Sequence, residues 1–140
     1  ILNRTTGNVD VKLDTVLNAN DLLALQSLVR DVEISADLLT YIARIARASR
    51  PNEQSHDMVR RYVRWGSGPR AGQSLVLCAK ARALMQGHFS VTLEDIRAVA
   101  DAVLRHRILL NFQAEAEDIN TGHIIESLFD HVSSPASPLG

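Results

Sequence analysis

Apolar residues recur at helical spacing after the asparagine pair at positions 18 and 20. Asn18 or Asn20 can cap the free N–H groups of a helix start, and Asp21 suits the positive first turn. Apolar side chains then follow on one helix face, at Leu22, Leu25, Leu28 and Val29. This pattern predicts a first helix that begins at the asparagine pair.

A second helix is predicted to begin after Ser35, which can serve as its N-cap. One stripe of the predicted helix consists of Leu38, Ile42, Ile45 and Ser49, widened by Leu39, Tyr41 and Ala46. Arg44, Arg47 and Arg50 lie on the other side, and Pro51 stops the helix because proline cannot continue it.

The middle of the chain is less regular. Residues 52–57 are typical of an exposed loop, and residues 58–65 fit a short helix or an extended segment equally well. Residues 66–69, Gly-Ser-Gly-Pro, break the chain and start a new helix, since proline is favoured at the first helical position. That helix is predicted to run from Pro69 to about Gln86, with Gly87 as its stop. Because it is apolar on most faces, we expect it to be the central helix.

Two further helices complete the prediction. Thr92 and Asp95 match a capping box, and the apolar residues behind them repeat at three and four positions. Residues 105–112 are predicted to leave this helix as an extended segment that pairs with residues 89–91. A last helix is predicted over residues 121–132. The pattern as a whole predicts an all-α domain of four to six helices, with room for one very short β-ribbon.

Composition narrows the class of protein. The chain has 140 residues, 46% of them hydrophobic and 22% charged, which suits one globular domain. Its net charge of -1 argues against a nucleic-acid binder. No apolar run reaches the roughly 18 residues of a membrane span, so we expect no membrane insertion. Cys78, the single cysteine, is predicted to be a buried small hydrophobe in a chain from the reducing cytoplasm.

The two ends of the chain differ from its middle. The first residue is Ile1 and not methionine, so we expect the chain to be part of a longer protein. Residues 1–18 are predicted to be a linker from a preceding domain, and residues 19–132 to form the helical domain. The small and proline-rich residues 133–140 are expected to be a flexible tail.

Most catalytic and metal-binding signatures are absent from the sequence. There is no phosphate loop, no H-E-x-x-H pair and no cysteine pair. The five histidines, at positions 56, 88, 106, 123 and 131, lack ligand spacing, so no metal site is expected. The acidic residues Glu115, Glu117 and Asp118 form a small cluster next to Arg105 and Arg107 in the sequence. They are interpreted as surface charge pairing or as a helix entry rather than as a carboxylate dyad.

Arg70 departs from local expectation. It falls at the second position of the predicted helix, where the partial positive charge of the helix end disfavours a cation by about 0.3–1 kcal/mol. An arginine and a helix N-terminus together can bind a phosphate, and the glycines of residues 66–68 let the backbone approach a ligand closely. The residues alone leave two interpretations open: a phosphate receptor, or an arginine that points to a carboxylate or to solvent.

Several segments follow one another in a specific order and spacing: ANDLLALQ at 19–26, VEISADLLTYIARIARASR at 32–50, GSGPRA at 66–71, AKARAL at 79–84 and VTLEDIRAVA at 91–100, continuing to VLRHRI at 103–108. Together these segments resemble the C-terminal helical lid of AAA+ ATPases of the MoxR family. The resemblance extends from about residue 19 to about residue 130. It implies an AAA+ lid-type helical bundle.

The resemblance also implies a role for Arg70. In the MoxR family the arginine of this segment is the sensor-2 arginine, which reaches ATP phosphates held by the core domain. The cofactor-binding segment would then be Ser67, Gly68, Pro69, Arg70 and Ala71. Many relatives have serine where Gly68 stands, so the N-cap oxygen must come from Ser67 or be lacking. The core would also hold Mg²⁺, and the chain by itself should not hydrolyse ATP.

The family further implies partners. These are the ATPase core of the same chain, neighbouring subunits of a ring oligomer and a protein with a von Willebrand factor A domain. The implied activity is chaperone-like remodelling coupled to nucleotide state. The alternative is a helical protein-interaction module that binds an acidic partner through Arg44, Arg47, Arg50, Arg60, Arg61 and Arg64.

Overall fold

The computed structural model describes residues 14–135, which form seven helices and one two-stranded ribbon. In chain order they are α1 (Ala19–Asp31), α2 (Ala36–Ala48), α3 (Asp57–Tyr62), β1 (Val63–Trp65), α4 (Pro69–Met85), α5 (Leu93–Leu104), β2 (Leu109–Leu110), α6 (Phe112–Ala116) and α7 (Thr121–His131). The predicted all-α class with a short ribbon is confirmed. The helix count exceeds the prediction because α3 and α6 have six and five residues, too few to show a period.

Most residues of the predicted linker and of the predicted tail lie outside the part of the chain that the structure describes. Residues 1–13 of the predicted linker and residues 136–140 of the predicted tail are not described. Residues 14–18 have no regular secondary structure. The assignment of these segments as linker and tail therefore stays a prediction.

Local side-chain caps start three of the long helices, α1, α2 and α5, as the sequence predicts. The Asn18 carboxamide oxygen accepts the backbone N–H of Asn20 at 2.8 Å and begins α1. Ser35 caps α2 in the same way, and Thr92 forms a reciprocal capping box with Asp95 at the start of α5. Because each cap acts within three residues, sequence alone is enough to locate it.

Helix α4 is the centre of the domain and packs against α1, α2 and α5. Its buried stripe consists of Ala71, Leu75, Ala79 and Ala83, each 1% exposed or less. The three alanines let neighbouring helices approach closely. The rest of α4 is less buried than its apolar composition suggests, and Leu77 is 43% exposed.

The predicted burial of Cys78 is wrong. The thiol is free and exposed. Burial on α4 follows positions four residues apart, and Cys78 stands one position before the buried Ala79. One residue corresponds to about 100° of rotation on an α-helix, which turns Cys78 away from the stripe.

The predicted strand pairing is also wrong. The extended segment after α5 does not pair with residues 89–91 but with β1, in an antiparallel ribbon that aligns Val63 with Leu110. Ser90 instead forms a parallel bridge with Glu33, the residue that follows α1 and its C-cap. Segments of two or three residues carry no periodic signal, so only the tertiary packing of the domain decides which of them meet.

Helix α1 lies at the edge of the domain and contains no buried residue. Four of its leucines are large exposed hydrophobics, namely Leu22, Leu23, Leu25 and Leu28, with exposed fractions between 43% and 62%. Its main contact is one side of α4. Within residues 14–135, no helix has the length and apolar character needed to cross a bilayer.

Candidate functional site

The amino end of α4 follows the ribbon strand β1 after a three-residue loop, residues 66–68. Pro69 occupies the first helical turn and Gly68 is the N-cap, with extended backbone angles and no side-chain cap. The open question about the cap is therefore answered: Ser67 does not supply the missing oxygen. The start of this helix lacks the side-chain acceptor that Asn18, Ser35 and Thr92 give their helices.

Arg70 is exposed at the second position of α4, a helix of 17 residues. Among residues 14–135 its guanidinium forms no ion pair and no hydrogen bond. A carboxylate partner is thus not found in this part of the chain, which leaves the phosphate receptor and the arginine that points to solvent as the two interpretations. The arginine stands beside the positive end of a helix dipole, an arrangement that suits an anion.

The other predicted binding residues are divided between surface and interior. Gly68 and Pro69 are exposed next to Arg70, whereas Ser67 and Ala71 are each 1% exposed. The Ala71 methyl belongs to the core stripe of α4. The structure therefore brings Gly68, Pro69 and Arg70 together at the surface. Nucleotide binding by the five residues stays a prediction.

The two glycines of the loop meet different surroundings. A Cβ added to Gly66 would lie 2.3 Å from the carbonyl oxygen of Ser49 and 2.5 Å from the Cα of Arg50. A Cβ added to Gly68 would meet no atom of residues 14–135 within 4 Å. Gly66 is required because the loop presses on the backbone at the end of α2, while Gly68 leaves an open approach to the start of α4.

Ser67 is held by two consecutive residues at the carboxyl end of α2. Its backbone N–H donates to Ser49 Oγ at 2.9 Å, and its own hydroxyl lies 2.9 Å from the same oxygen. Its carbonyl oxygen accepts from Arg50 Nε at 2.9 Å. We call these contacts the Ser67 clamp. The sequence does not predict the clamp, because Ser49 and Arg50 carry no local signal of a contact with a loop 18 and 17 residues later.

The two residues that precede strand β1, Arg61 and Tyr62, are hydrogen-bonded to the two caps of α6. The Tyr62 hydroxyl donates to Glu117 Oε2 at 2.7 Å, and the side chain of Asn111 donates to the Arg61 carbonyl at 2.6 Å. The hydrogen bond to Glu117 raises the pKa of the Tyr62 phenol, and the same bond lowers the pKa of Glu117. These hydrogen bonds hold the start of strand β1, and with it the strand that leads into the loop at Gly66.

The acidic cluster forms a surface charge pair, one of the two interpretations that the sequence favoured, but not with the arginines that are near it in sequence. Glu117 faces Arg61, with 3.5 Å between the nearest nitrogen and oxygen, rather than Arg105 or Arg107. Arg105 pairs with Asp101 one turn earlier on α5. Helix α6 carries the acidic residues towards α3, a placement that depends on the ribbon and not on sequence proximity.

The arginines of the alternative hypothesis are partly engaged within the chain. Arg50 belongs to the Ser67 clamp, Arg60 pairs with Asp57 at 2.5 Å, and Arg61 lies over the Tyr62 ring at 5.1 Å. Such intramolecular contacts leave fewer free cations for an acidic partner.

The histidines form one close pair. The rings of His56 and His131 lie with their centroids 4.7 Å apart and are tilted by 36° relative to each other. In the part of the chain that the structure describes, no three His, Cys, Asp or Glu side chains converge into a group that could hold a metal ion.

Comparisons with known proteins agree with this architecture. The AAA lid domain family matches residues 55–128, more than half of the chain. The chain is 31% identical over 121 residues to the chaperone MoxR1 of Mycobacterium tuberculosis, covering 86% of this chain and 32% of that protein. It is 34% identical over 79 residues to the protein MoxR of Paracoccus denitrificans, covering 55% of this chain and 23% of that protein. The chain thus spans about a third or less of these relatives.

A crystal structure supports the same assignment. The protein, assigned as an ATPase from Cytophaga hutchinsonii, superposes with a TM-score of 0.87 and 33% identity, over 96% of this chain and 41% of that one. The family match covers every element from the end of the loop at residue 55 to most of α7, including the amino end of α4. The chain belongs to the AAA lid domain family, and it is the lid domain of a MoxR-like AAA+ ATPase.

Proposed function

We propose that Arg70 is the sensor-2 arginine of the parent ATPase and contacts the phosphates of ATP bound by the core domain of the same protein. One observation carries the proposal: Arg70 is exposed at the amino end of α4 and has no ionic partner within residues 14–135. A planar guanidinium matches phosphate oxygens with two parallel N–H donors, and the helix end adds a positive potential.

The residues around Arg70 are compatible with a phosphate. The open space beside Gly68 lets an oxygen approach the backbone at the start of α4. ATP supplies the phosphoanhydride bond, and the core domain supplies the phosphate loop and the Mg²⁺ ligands. This lid contributes one cation and no nucleophile or base, so the chain alone should not hydrolyse ATP.

Helix α4 connects the proposed phosphate contact of Arg70 to the other helices of the domain. It carries Arg70 at one end and packs against α1, α2 and α5 along its length. A force on the guanidinium would therefore displace the domain as one packed unit, since close-packed interiors transmit strain. We infer that the parent couples nucleotide state to chaperone-like remodelling. The description of the Mycobacterium tuberculosis relative as a chaperone supports this inference.

The exposed leucines of α1 suit a protein interface. Soluble monomers seldom expose contiguous apolar surface of this kind without a partner. We propose that this face packs on the ATPase core and that the parent forms a ring with neighbouring subunits in the cytoplasm. A protein with a von Willebrand factor A domain is the further partner that we propose for the parent.

The proposal is tested in the full-length ATPase with Arg70→Ala, Arg70→Lys and the control Arg44→Ala. We expect Arg70→Ala to lower ATP turnover about ten-fold or more, equivalent to about 1.4 kcal/mol of transition-state stabilisation. Arg70→Lys should recover part of the loss, because lysine keeps the charge but not the planar fork. Arg44, an exposed arginine of α2, should be replaceable without effect.

Thermal melting of each variant accompanies the turnover measurements. An Arg70→Ala protein that melts like the parent and keeps full turnover would remove the sensor role. The interaction-module alternative predicts the reverse ranking, in which partner binding depends on the exposed arginines Arg44, Arg47 and Arg64 and not on Arg70.

A further inference from the structure

The Ser67 clamp joins the carboxyl end of α2 to the loop that precedes Arg70. Both backbone polar groups of Ser67 are bound, the N–H by Ser49 Oγ and the carbonyl by Arg50 Nε, each at 2.9 Å. Ser49 and Ser67 are fully buried, whereas Arg50 is exposed. Arg50 is thus the member of the clamp that can be replaced without opening the core.

The clamp lies three residues before Arg70. Only Gly68 and Pro69 stand between the held peptide and the arginine, and the proline ring fixes one of the intervening backbone angles. Gly66 adds a steric contact, since it lies against the backbone of Ser49 and Arg50. The direction in which α4 begins therefore depends on the end of α2.

We propose that Arg50 is a positioning residue for Arg70: its Nε–H holds the Ser67 carbonyl and so fixes the amino end of α4 and the guanidinium that it carries. The inference rests on the proposed function of Arg70. It assigns Arg50 no contact with nucleotide. Arg50 acts through a neutral hydrogen-bond acceptor, so its donor geometry matters and its charge does not.

Substitution of Arg50 by glutamine separates the role of its Nε donor from the role of its charge. In glutamine the amide nitrogen Nε2 stands at the same number of bonds from Cα as Nε stands in arginine. Arg50→Gln therefore keeps a donor near the Ser67 carbonyl while it removes the charge and the two terminal nitrogens. Arg50→Ala removes the donor as well. Arg47→Ala serves as the matched control, because Arg47 lies one turn earlier on α2, is exposed and donates no side-chain hydrogen bond within residues 14–135.

The experiment measures steady-state ATP turnover of the full-length ATPase carrying Arg50→Ala, Arg50→Gln, Arg70→Ala or the Arg50→Ala, Arg70→Ala double substitution. We expect Arg50→Ala to lower kcat about five-fold, less than the roughly hundred-fold that a 1 Å misplacement can cost. Arg50→Gln and Arg47→Ala should stay close to the parent. In the Arg70→Ala background, Arg50→Ala should cause no further loss, since a residue that acts through Arg70 has nothing left to position.

Several outcomes would overturn the inference. Turnover of Arg50→Gln as low as that of Arg50→Ala would show that the charge matters. Equal losses from Arg50→Ala with and without Arg70 would show an independent role. If Arg70→Ala lowers turnover and Arg50→Ala does not, the inference fails and the proposed function stands. If Arg70→Ala has no effect, both fail. Melting temperatures that decrease in parallel with turnover would show that the substitutions unfold the domain rather than misplace Arg70.

Discussion

The hydroxyl oxygens of Ser49 and Ser67 lie 2.9 Å apart in the interior, although the residues are 18 positions apart in the chain. Ser49 Oγ also accepts the backbone N–H of Ser67 and donates to the Ala46 carbonyl at 2.8 Å. One small side chain thus binds the end of α2 to the loop before α4. A buried hydroxyl with all its partners stabilises a specific arrangement, because any alternative leaves polar groups unpaired.

Replacing either serine should reveal an asymmetry. Ser49→Ala leaves the buried N–H of Ser67 without its acceptor, and we expect a loss of about 1–3 kcal/mol in the free energy of unfolding. Ser67→Ala removes the contact of its hydroxyl with Ser49 Oγ and a longer one, 3.4 Å, with the Ala46 carbonyl. It leaves Ser49 Oγ bonded to that carbonyl and to the Ser67 N–H, and should cost about 0.5–1.5 kcal/mol. Urea unfolding with an unchanged slope measures both values. Equal losses would mean that the N–H of Ser67 finds another acceptor.

The two loop glycines should respond oppositely to a larger side chain. Gly66→Ala places a methyl group against backbone atoms that cannot rotate away, so we expect a loss of about 1–3 kcal/mol. Gly68→Ser has open space and supplies the absent N-cap oxygen, and should gain a few tenths of a kcal/mol. Melting temperatures of the two variants test this contrast. A Gly66→Ala protein as stable as the parent would contradict the close approach of loop and helix.

Acid should destabilise the domain through Asp95. Burial raises the pKa of this carboxyl, but hydrogen bonds from Thr92 and the guanidinium of Arg82 lower it by more. The unfolded carboxyl, with an ordinary pKa of about 3.9, takes up its proton before the folded one does. The stabilisation is therefore complete at neutral pH and is lost as pH falls from about 4 through the lower folded-state pKa.

Urea midpoints between pH 7 and pH 3 measure this loss. Asp95→Asn should already be less stable at neutral pH, and its midpoint should change less across the acid range, because the substituted side chain does not titrate. If the urea midpoints of the parent and the variant changed equally with pH, the acid sensitivity would come from other carboxylates.

Helix α5 should tolerate charge on one face only. Ile96 is 0% exposed, so Ile96→Asp buries an unpaired carboxylate and should unfold the domain. Val99 is only partly buried, and Val99→Asp should be less damaging than Ile96→Asp. Ala98→Asp is the matched control on the exposed face of the same helix. Far-ultraviolet circular dichroism against temperature ranks the three, and a folded Ile96→Asp protein would contradict the core assignment.

The 140-residue chain should bind ATP weakly or not at all. One charge-assisted contact from Arg70 contributes about 1.5–3 kcal/mol, whereas micromolar affinity requires about 8 kcal/mol. Isothermal titration of ATP into the chain gives the affinity directly. Micromolar binding would mean that the lid has further phosphate ligands of its own. It would contradict the proposal that the core domain supplies most of the contacts to ATP.

Helix starts are the features that the sequence located well. Asn18, Ser35 and Thr92 act on backbone groups two or three residues away, and the apolar spacing that follows each of them is equally local. Interactions of this range need no knowledge of the fold. The same local reasoning singled out Arg70, because a cation at a helix N-terminus is unusual whatever surrounds it.

By itself, then, the sequence determined the helical class, the capped starts of α1, α2 and α5 and the residue at the centre of the proposed site. The tertiary structure decided the partner of strand β2, the exposure of Cys78 and the Ser67 clamp. The strand partner and the clamp depend on which distant segments meet, and a two-residue strand or a single serine gives no periodic signal of its partner. The exposure of Cys78 depends on which side of α4 faces the neighbouring helices. Arg70 could be found from its neighbours in sequence, whereas Arg50 required its neighbours in space.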